Sequence, residues 1–214
     1  MSNASLSLSS PTVWAFGGSR RLSPAGGAFA RSAAAWLLSF APLVAVGCSK
    51  GADSSLMQQA LNQGLASRVR VRAVFGSFSG TGSACAVAGA ATSSNPHLVQ
   101  RVMGAGGRVA TLAGGSLDLD LPSRLANRTR SVAMASTAGG ILVCEHTWGV
   151  GSVLLGRSLL TRGLPVLAMA VPGTLAGAPP FGADWALTTP DGWLGGAVWL
   201  HPGLVAVGGL RLAA

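Results

Sequence analysis

Two loops of this chain combine glycines with a hydroxyl and a cationic side chain directly after an apolar segment. Gly17-Gly18-Ser19-Arg20 follows Val13–Phe16, and the seven residues from Gly47 to Asp53 follow Leu43–Val46. Glycine lets backbone N–H groups approach an anion closely, and a helix that starts after such a loop points its positive end at the same place. Both loops therefore favour the binding of phosphate, in a nucleotide or in nucleic acid.

Two further segments carry polar residues of the same kind. The segment from Arg124 to Arg128 precedes an apolar helical stretch and is interpreted as a loop, and the segment from Glu145 to Ser152 follows Ile141–Cys144. Because parallel strands end at one edge of a sheet, we expect all four segments to meet there. The predicted ligand-binding residues are Gly17, Gly18, Ser19, Arg20, Gly47, Ser49, Lys50, Gly51, Asp53, Arg124, Asn127, Arg128, Glu145, Gly151 and Ser152.

The polar residues of the first two loops could each have a structural role instead of binding a ligand. Ser19 and Arg20 would hold a phosphate through a hydroxyl and a guanidinium, unless they belong to an ordinary exposed turn. Lys50 is the only lysine of the chain and suits a phosphate as a point charge, but it could equally be a solvated surface residue. Asp53 could accept a ribose hydroxyl, although capping the following helix is the favoured role.

The other two segments leave similar alternatives. Arg124, Arg128 and Arg130 cannot share one helical face at spacings of four and two, so at least one is expected to point to solvent. Glu145 could bind a sugar or act as a general base, but no second carboxylate or nucleophile lies near it in the sequence. Binding is therefore favoured, and no catalytic residue is assigned except Glu145 in the case of a hydrolase. Trp148 could stack on a base or be half-buried.

The charge balance points to a polyanionic partner. The chain has 214 residues, of which 49% are hydrophobic and 10% charged, and its formal net charge is +9. All cations except one lysine are arginines, which bind phosphate bidentately and stack on bases. A GC-rich genome that encodes arginine, alanine and glycine is an alternative account of this composition.

Cysteine and histidine predict no metal chemistry. Cys48, Cys85 and Cys144 are odd in number and widely spaced, and the three histidines form no cluster with them. Neither a disulfide framework, a zinc site nor a cofactor is predicted.

An export signal is the rival interpretation of the N-terminal part. Arg20-Arg21 precedes the apolar stretch 33–47, which ends at Cys48, as in a twin-arginine or lipoprotein signal. Arg31 and Pro42 interrupt that stretch. A strand, a helix and a second strand in a cytoplasmic protein are favoured instead, and since no apolar run reaches about 18 residues, no membrane span is predicted.

Apolar strands alternate with helical segments along most of the chain. Helices are predicted near 24–40, 54–65, 96–103, 123–136 and 151–162, and strands near 13–16, 43–46, 69–75, 108–112, 140–144 and 165–171. This alternation predicts an α/β fold, a Rossmann-like open and mostly parallel sheet with helices on both faces. The predicted organisation is a flexible arm at 1–11, the Rossmann-like domain at 12–173, with a loop and weak helix at 76–94, and an extension at 174–214 with edge strands at 185–187 and 197–200.

Five segments occur in an order known from one group of proteins. They are Val13 to Pro24, Val46 to Asp53, Leu121 to Ala138, Ile141 to Ser152 and Leu164 to Gly173. Together they resemble the DprA/Smf DNA-processing family, which belongs to the SLOG group of Rossmann-like domains with the LOG nucleotide hydrolases. The resemblance covers about residues 12–173. It departs from the family pattern at Arg124, which is displaced from Asn127-Arg128, and the LOG signature Pro-Gly-Gly-x-Gly-Thr is absent.

The resemblance implies a protein that binds single-stranded DNA through glycine-rich loops and arginine, in DNA processing or recombination and without covalent chemistry. A SLOG-type sensor of a small nucleotide is the first alternative. A LOG-like nucleotide N-glycosidase and an exported protein are the others. Since relatives in the family often self-associate, a homo-oligomer is a further expectation.

Overall fold

The computed structural model describes residues 12–73, 77–79, 86–88, 95–111, 121–174, 176–182 and 185–201. The arm predicted at 1–11 and most of the stretch 76–94 lie outside these residues. The strands are β1 (Val13–Gly18), β2 (Leu43–Val46), β3 (Val69–Ala73), β4 (Ser77–Ser79), β5 (Ala86–Ala88), β6 (Arg108–Thr111), β7 (Gly139–Cys144), β8 (Val166–Ala170), β9 (Ala186–Thr188) and β10 (Val198–Leu200). The α-helices are α1 (Pro24–Phe40), α2 (Ala52–Asn62), α3 (Pro96–Gly104), α4 (Leu121–Ala135) and α5 (Val150–Leu160).

One sheet organises these elements, with the strand order β6-β3-β2-β1-β7-β8-β10-β9. The strands from β6 to β8 are parallel, and β10 and β9 continue the sheet antiparallel. The predicted Rossmann-like α/β fold is confirmed. From β1 the chain first builds one half of the sheet through β2, and later the other half through β7. In open parallel sheets this point of reversal leaves a crevice at the strand ends, where ligands bind.

Helices cover both faces of the sheet, and two apolar cores follow from this. The helices α1, α2 and α3 pack on one face through residues such as Leu37, Leu56 and Val99. The helices α4 and α5 pack on the other face through Val132 and Leu159. All six residues of β7 are buried, as expected for a central parallel strand that is covered on both sides.

Local sequence explains where α1 begins. Ser23 is the N-cap, and its hydroxyl oxygen accepts a hydrogen bond from the Gly26 N–H at 3.0 Å. Pro24 occupies the first helical position, where its missing N–H costs nothing. The predicted start of α1 is confirmed, and this places the first turn of the helix next to the loop that follows β1.

The segment after residue 173 adds β9 and β10 to the sheet, each beginning one residue later than predicted. Between them, Trp193 is buried against Phe29 and Trp36 of α1. The indole N–H of Trp36 donates to the Asp191 carbonyl at 3.2 Å. Trp193 therefore packs on the α1 side of the sheet, whereas Phe181 belongs to the core below α4 and α5.

The export hypothesis conflicts with this architecture. Cleavage before Cys48 would remove β1, α1 and β2, and β1 lies between β2 and β7 in the middle of the sheet. The folded domain therefore needs the peptide that export would discard. No helix in the described ranges is long and apolar enough to cross a membrane.

Candidate functional site

The loop after β1 is fixed to its neighbours on both sides. The Ser19 N–H donates to the Val143 carbonyl at 2.9 Å, and the Ser19 carbonyl accepts from the Ala52 N–H at 3.0 Å. The Ser19 hydroxyl oxygen accepts from the Glu145 N–H at 3.1 Å. A Cβ on Gly18 would lie 2.0 Å from the Val143 carbonyl oxygen, so only glycine allows this approach. The loops after β1 and β7 and the start of α2 are thus joined.

The start of α2 differs from the prediction for Asp53. The helix begins at Ala52, and its N-cap is Gly51, which has a φ of 79° and no side-chain cap. A Cβ on Gly51 would lie 2.2 Å from the Ser19 carbonyl oxygen, so contact with the β1 loop requires glycine there. The interpretation of Asp53 as the N-cap is therefore wrong. Its carboxylate lies in the first turn and accepts the Ser49 N–H at 3.0 Å.

A buried acid–base pair lies below the loop after β2. Arg128 Nη1 is 3.9 Å from Asp53 Oδ2 and donates to the Ser49 hydroxyl. Burial raises the pKa of Asp53, because it disfavours the charged carboxylate, and the Arg128 charge opposes that effect. A Cβ on Gly47 would lie 2.4 Å from Asp53 Oδ2 and 3.0 Å from Arg128 Cδ. Glycine at position 47 thus leaves room for the pair.

Arg128 comes from a helix, not from a loop. The segment from Arg124 to Arg128 lies within α4, in agreement with the helix predicted near 123–136, so its interpretation as a loop is wrong. Pro122 suits the first turn of a helix, and no residue of the segment breaks it. Asn127 is half-buried. Arg130 is exposed, in agreement with the expectation that at least one of the three arginines points to solvent. The side chain of Arg124 lies outside the described part of the structure.

Glu145 binds the start of α1. Its carboxylate accepts a hydrogen bond from the Ser23 N–H at 2.7 Å and a second from the Ser23 hydroxyl. These two bonds, with a smaller contribution from His146, lower the pKa of Glu145. A Cβ on Gly26 would lie 2.5 Å from Glu145 Oε2. Both carboxylate oxygens are therefore engaged within the protein, which is the arrangement of a positioning residue.

A cavity of about 470 Å³ opens between the loops after β1 and β7. The predicted site residues that line it are Gly18, Ser19, Arg20, Arg128, Glu145, Gly151 and Ser152. The helix α5 begins at its edge with Gly149 as N-cap, and no side chain caps its first turn. The pKa of Arg20 is lowered by partial burial and by the neighbouring charge of Arg128. Guanidinium groups and the positive end of α5 thus face the same space.

The other predicted residues lie behind or outside this cavity. Gly17, Gly47 and Asp53 line a void of about 20 Å³ that also touches Arg128. Ser49 is buried against Arg128, and Gly51 packs on the β1 loop. Lys50 is exposed and is not part of the cavity lining.

Sequence reasoning missed several residues around the cavity. They are Arg21, His146, Thr147, Gly149 and Val150, which line it, and Ser23, which holds Glu145. The position of Arg21 next to Arg20 could have predicted that Arg21 belongs to the site. No local sequence pattern predicts the contact between Ser23 and Glu145, which lie 122 residues apart. Trp148 is half-buried and donates its indole N–H to the Gly177 carbonyl at 3.0 Å.

Solved structures share this architecture. DNA processing protein A (DprA) from Helicobacter pylori, described for its unique single-stranded DNA binding mode, matches with a TM-score of 0.56 and 16% identity, over 79% of this chain and 69% of that chain. The fold is that of DNA processing protein A. DprA from Streptococcus pneumoniae matches with a TM-score of 0.50 and 21% identity, over 77% of this chain but only about half (51%) of that chain. No protein-family model and no curated protein sequence matches the chain.

The polar groups at the crevice are of the kind that can bind an anion. No group of three or more metal-ligating side chains is found among the described residues. The arrangement brings guanidinium groups and free helix N–H groups to the crevice between β1 and β7, where an oxyanion can accept hydrogen bonds from several of them at once.

Proposed function

We propose that the cavity binds the phosphate backbone of single-stranded DNA, in DNA processing and without covalent chemistry. The observation that carries this proposal is the imbalance of charge at the cavity. Three guanidinium groups, those of Arg20, Arg21 and Arg128, line it together with one carboxylate, that of Glu145. The Asp53 carboxylate is engaged with Ser49 and Arg128 behind it. A polyanion would neutralise the positive charge of Arg20, Arg21 and Arg128 that these carboxylates leave uncompensated.

Further observations support a nucleic acid as the ligand. The cavity lies at the reversal point of the sheet, and the carboxylate oxygens of Glu145 are held by Ser23. The H. pylori protein of the same fold is described for binding single-stranded DNA. Exposed Lys50 offers an additional charge to a ligand that extends beyond the cavity.

The test measures binding of a fluorescent oligonucleotide of about 20 nucleotides by anisotropy over a range of salt concentrations. We expect the affinity to fall with salt, by a log–log slope of about 0.7 for each phosphate contacted. Arg20→Gln and Arg21→Gln should each weaken binding about tenfold or more, since a hydrogen bond to a charged group contributes about 1.5–3 kcal/mol.

Arg157→Gln is the matched control, because Arg157 is exposed on α5 and does not line the cavity. It removes the same charge and should change the affinity by no more than about twofold. Absence of binding, or binding that salt and the cavity variants leave unchanged, would contradict the proposal.

A sensor of a small nucleotide is the second candidate, and the size of the cavity favours it. A volume of about 470 Å³ lies within the range of ordinary small-molecule pockets. This candidate predicts thermal stabilisation by a mononucleotide or dinucleotide that largely survives added salt. An N-glycosidase is less well supported, because the two hydrogen bonds from Ser23 lower the pKa of Glu145 and make its carboxylate a weaker general base.

A further inference from the structure

The loop after β7 makes a strained turn at the edge of the cavity. The Thr147 N–H donates to the Glu145 carbonyl at 2.9 Å, and His146 between them has a φ of 68°. A hydrogen bond across one residue with a positive φ defines the γ-turn that is rarer and more strained than its inverse form. Among the described residues, His146 is the only one other than glycine with a positive φ. The chain thus carries a side chain where the backbone favours glycine.

The neighbours of His146 hold it in this turn. Before it, Glu145 is fixed through its carboxylate by the Ser23 N–H at 2.7 Å and through its own N–H by the Ser19 hydroxyl at 3.1 Å. After it, Gly149 is the N-cap of α5. A sparsely populated backbone conformation persists only where its surroundings impose it, and here both ends of the turn are anchored.

The side chain of His146 contributes little to the core. His146 is exposed and lines the cavity together with Arg20 and Arg21, whereas Glu145, the residue before it, is buried. An exposed side chain removes little apolar surface from water, so burial does not offset the cost of the positive φ. A ligand in the cavity would account for the imidazole at this position.

An imidazole beside guanidinium groups suits a phosphate. Its ring N–H groups donate hydrogen bonds, and histidine is the side chain that ordinarily changes charge between about pH 5 and 8. The charged groups that share the cavity with His146 are Arg20, Arg21, Arg128 and Glu145. The arginines stay charged across this range, and the lowered pKa of Glu145 keeps its carboxylate ionised there. A bound phosphate would therefore gain a charged donor from the imidazole as the pH falls.

We propose that His146 binds a backbone phosphate of single-stranded DNA in the cavity, and binds it most tightly when its imidazole is charged. This inference rests on the proposed function. It adds a contact outside the arginines and an affinity that rises as the pH falls from about 8 to about 5.5. The strained turn holds the imidazole in place before the ligand arrives, at a cost in stability.

The experiment measures thermal stability and oligonucleotide affinity in His146→Gly and His146→Asn. Both replacements fit the turn, since glycine adopts a positive φ freely and asparagine does so more readily than most residues. Neither should lower Tm, and His146→Gly should raise it by up to about 4 °C. Both should weaken binding of the probe of about 20 nucleotides about tenfold at about pH 5.5, and no more than about twofold at about pH 8.

His97→Asn is the matched control, because His97 is exposed on α3 and does not line this cavity. It should leave the affinity unchanged at both pH values. The pKa of Asp53, which lies behind the cavity, is raised by burial, so this carboxyl can also change charge as the pH falls. That change affects the wild type and the variants alike, and the ratio of their affinities therefore isolates His146.

The outcomes separate this inference from the proposed function. If His146→Gly lowers Tm, the side chain stabilises the fold and the inference is wrong. It is also wrong if both variants bind like the wild type, or if they lose the same factor at the two pH values. The proposed function survives each of these results when Arg20→Gln weakens binding. If the wild type does not bind the oligonucleotide, the proposed function fails and this inference fails with it.

Discussion

Ser23 and Glu145, 122 residues apart in the chain, form a reciprocal cap on helix α1. The Ser23 hydroxyl accepts from the Gly26 N–H and donates to Glu145, while the Ser23 N–H donates to the same carboxylate. A carboxylate at the N-terminus of a helix is also favoured by the helix dipole. The pair thereby ties the loop after β7 to the first turn of α1, and Glu145 acts by holding this border of the cavity in place.

Glu145→Gln should destabilise the protein at neutral pH and not at acidic pH. The folded pKa of Glu145 lies below its ordinary value of 4.5, so its stabilising contribution is present above that value and is lost as the pH falls through the folded pKa. We expect a loss of about 1–2 kcal/mol in urea unfolding at pH 7, which shrinks as the pH falls below 4.5.

Asp191→Asn is the control for this measurement, since Asp191 is exposed on a turn and its backbone carbonyl, rather than its side chain, binds Trp36. A loss in Glu145→Gln that stays constant from pH 7 to about pH 3 would show that the carboxylate charge does not stabilise α1.

Gly26→Ala and Gly27→Ala should change stability in opposite directions. A Cβ at position 26 would lie 2.5 Å from Glu145 Oε2 and push the carboxylate away, whereas a Cβ at position 27 meets only Arg31 Nη1 at 3.5 Å. Gly27→Ala should therefore stabilise by up to about 1 kcal/mol through helix propensity, and Gly26→Ala should destabilise despite the same gain. Thermal unfolding of the two variants decides this, and equal shifts would mean that the cap tolerates a Cβ.

Asp53→Asn should show the reverse pH dependence of Glu145→Gln. Burial raises the folded pKa of Asp53 above its ordinary value of 3.8. Its contribution to stability is then fully present below that value and declines as the pH rises through the folded pKa. The wild type should consequently lose stability relative to Asp53→Asn between about pH 4 and neutrality, in urea unfolding at several pH values. If the wild type instead gains stability relative to Asp53→Asn over the same pH interval, the Arg128 charge has a larger effect on the pKa of Asp53 than burial has.

Gly47→Ala should impair oligonucleotide binding more than it lowers the stability of the fold. The new Cβ would meet Asp53 Oδ2 at 2.4 Å and Arg128 Cδ at 3.0 Å, so the pair must separate or the loop must shift. We expect a loss of about 1–3 kcal/mol, typical of overpacking, and weaker oligonucleotide binding because Arg128 is displaced. At Gly177 a Cβ meets nothing within 4 Å, so Gly177→Ala is the control and should match the wild type in both measurements.

The periodicity of the chain was sufficient to predict the layers of the fold. Apolar runs such as Ile141–Cys144 predicted buried parallel strands, and Pro24 predicted the start of α1. The strand order could be expected only through the resemblance, because periodicity reports which face of a strand is buried and not which strand lies beside it. The antiparallel β10 and β9 were less well defined, each beginning one residue later than predicted, since strands of three residues carry few apolar positions.

The candidate site was harder to predict because its contacts are distant in sequence. Asp53 looked like an N-cap from its neighbours, but the approach of the β1 loop placed Gly51 in that role. The arginine-rich segment looked like a loop from its polarity, although it lies within α4, where Arg128 faces the cavity and Asn127 is half-buried. Glu145 was predicted as a site residue and Ser23 was not, because only the fold brings the two together.

The hydrogen bonds from Ser19 to Val143 and from Ala52 to Ser19 have a kinetic consequence. Because these loops are already joined before any ligand arrives, an incoming anion has little backbone left to order. Association should then proceed in one exponential phase whose rate rises with anion concentration and slows as salt screens the arginines. The protein would bind its ligand without rearranging these loops, and its electric field would set the rate of encounter.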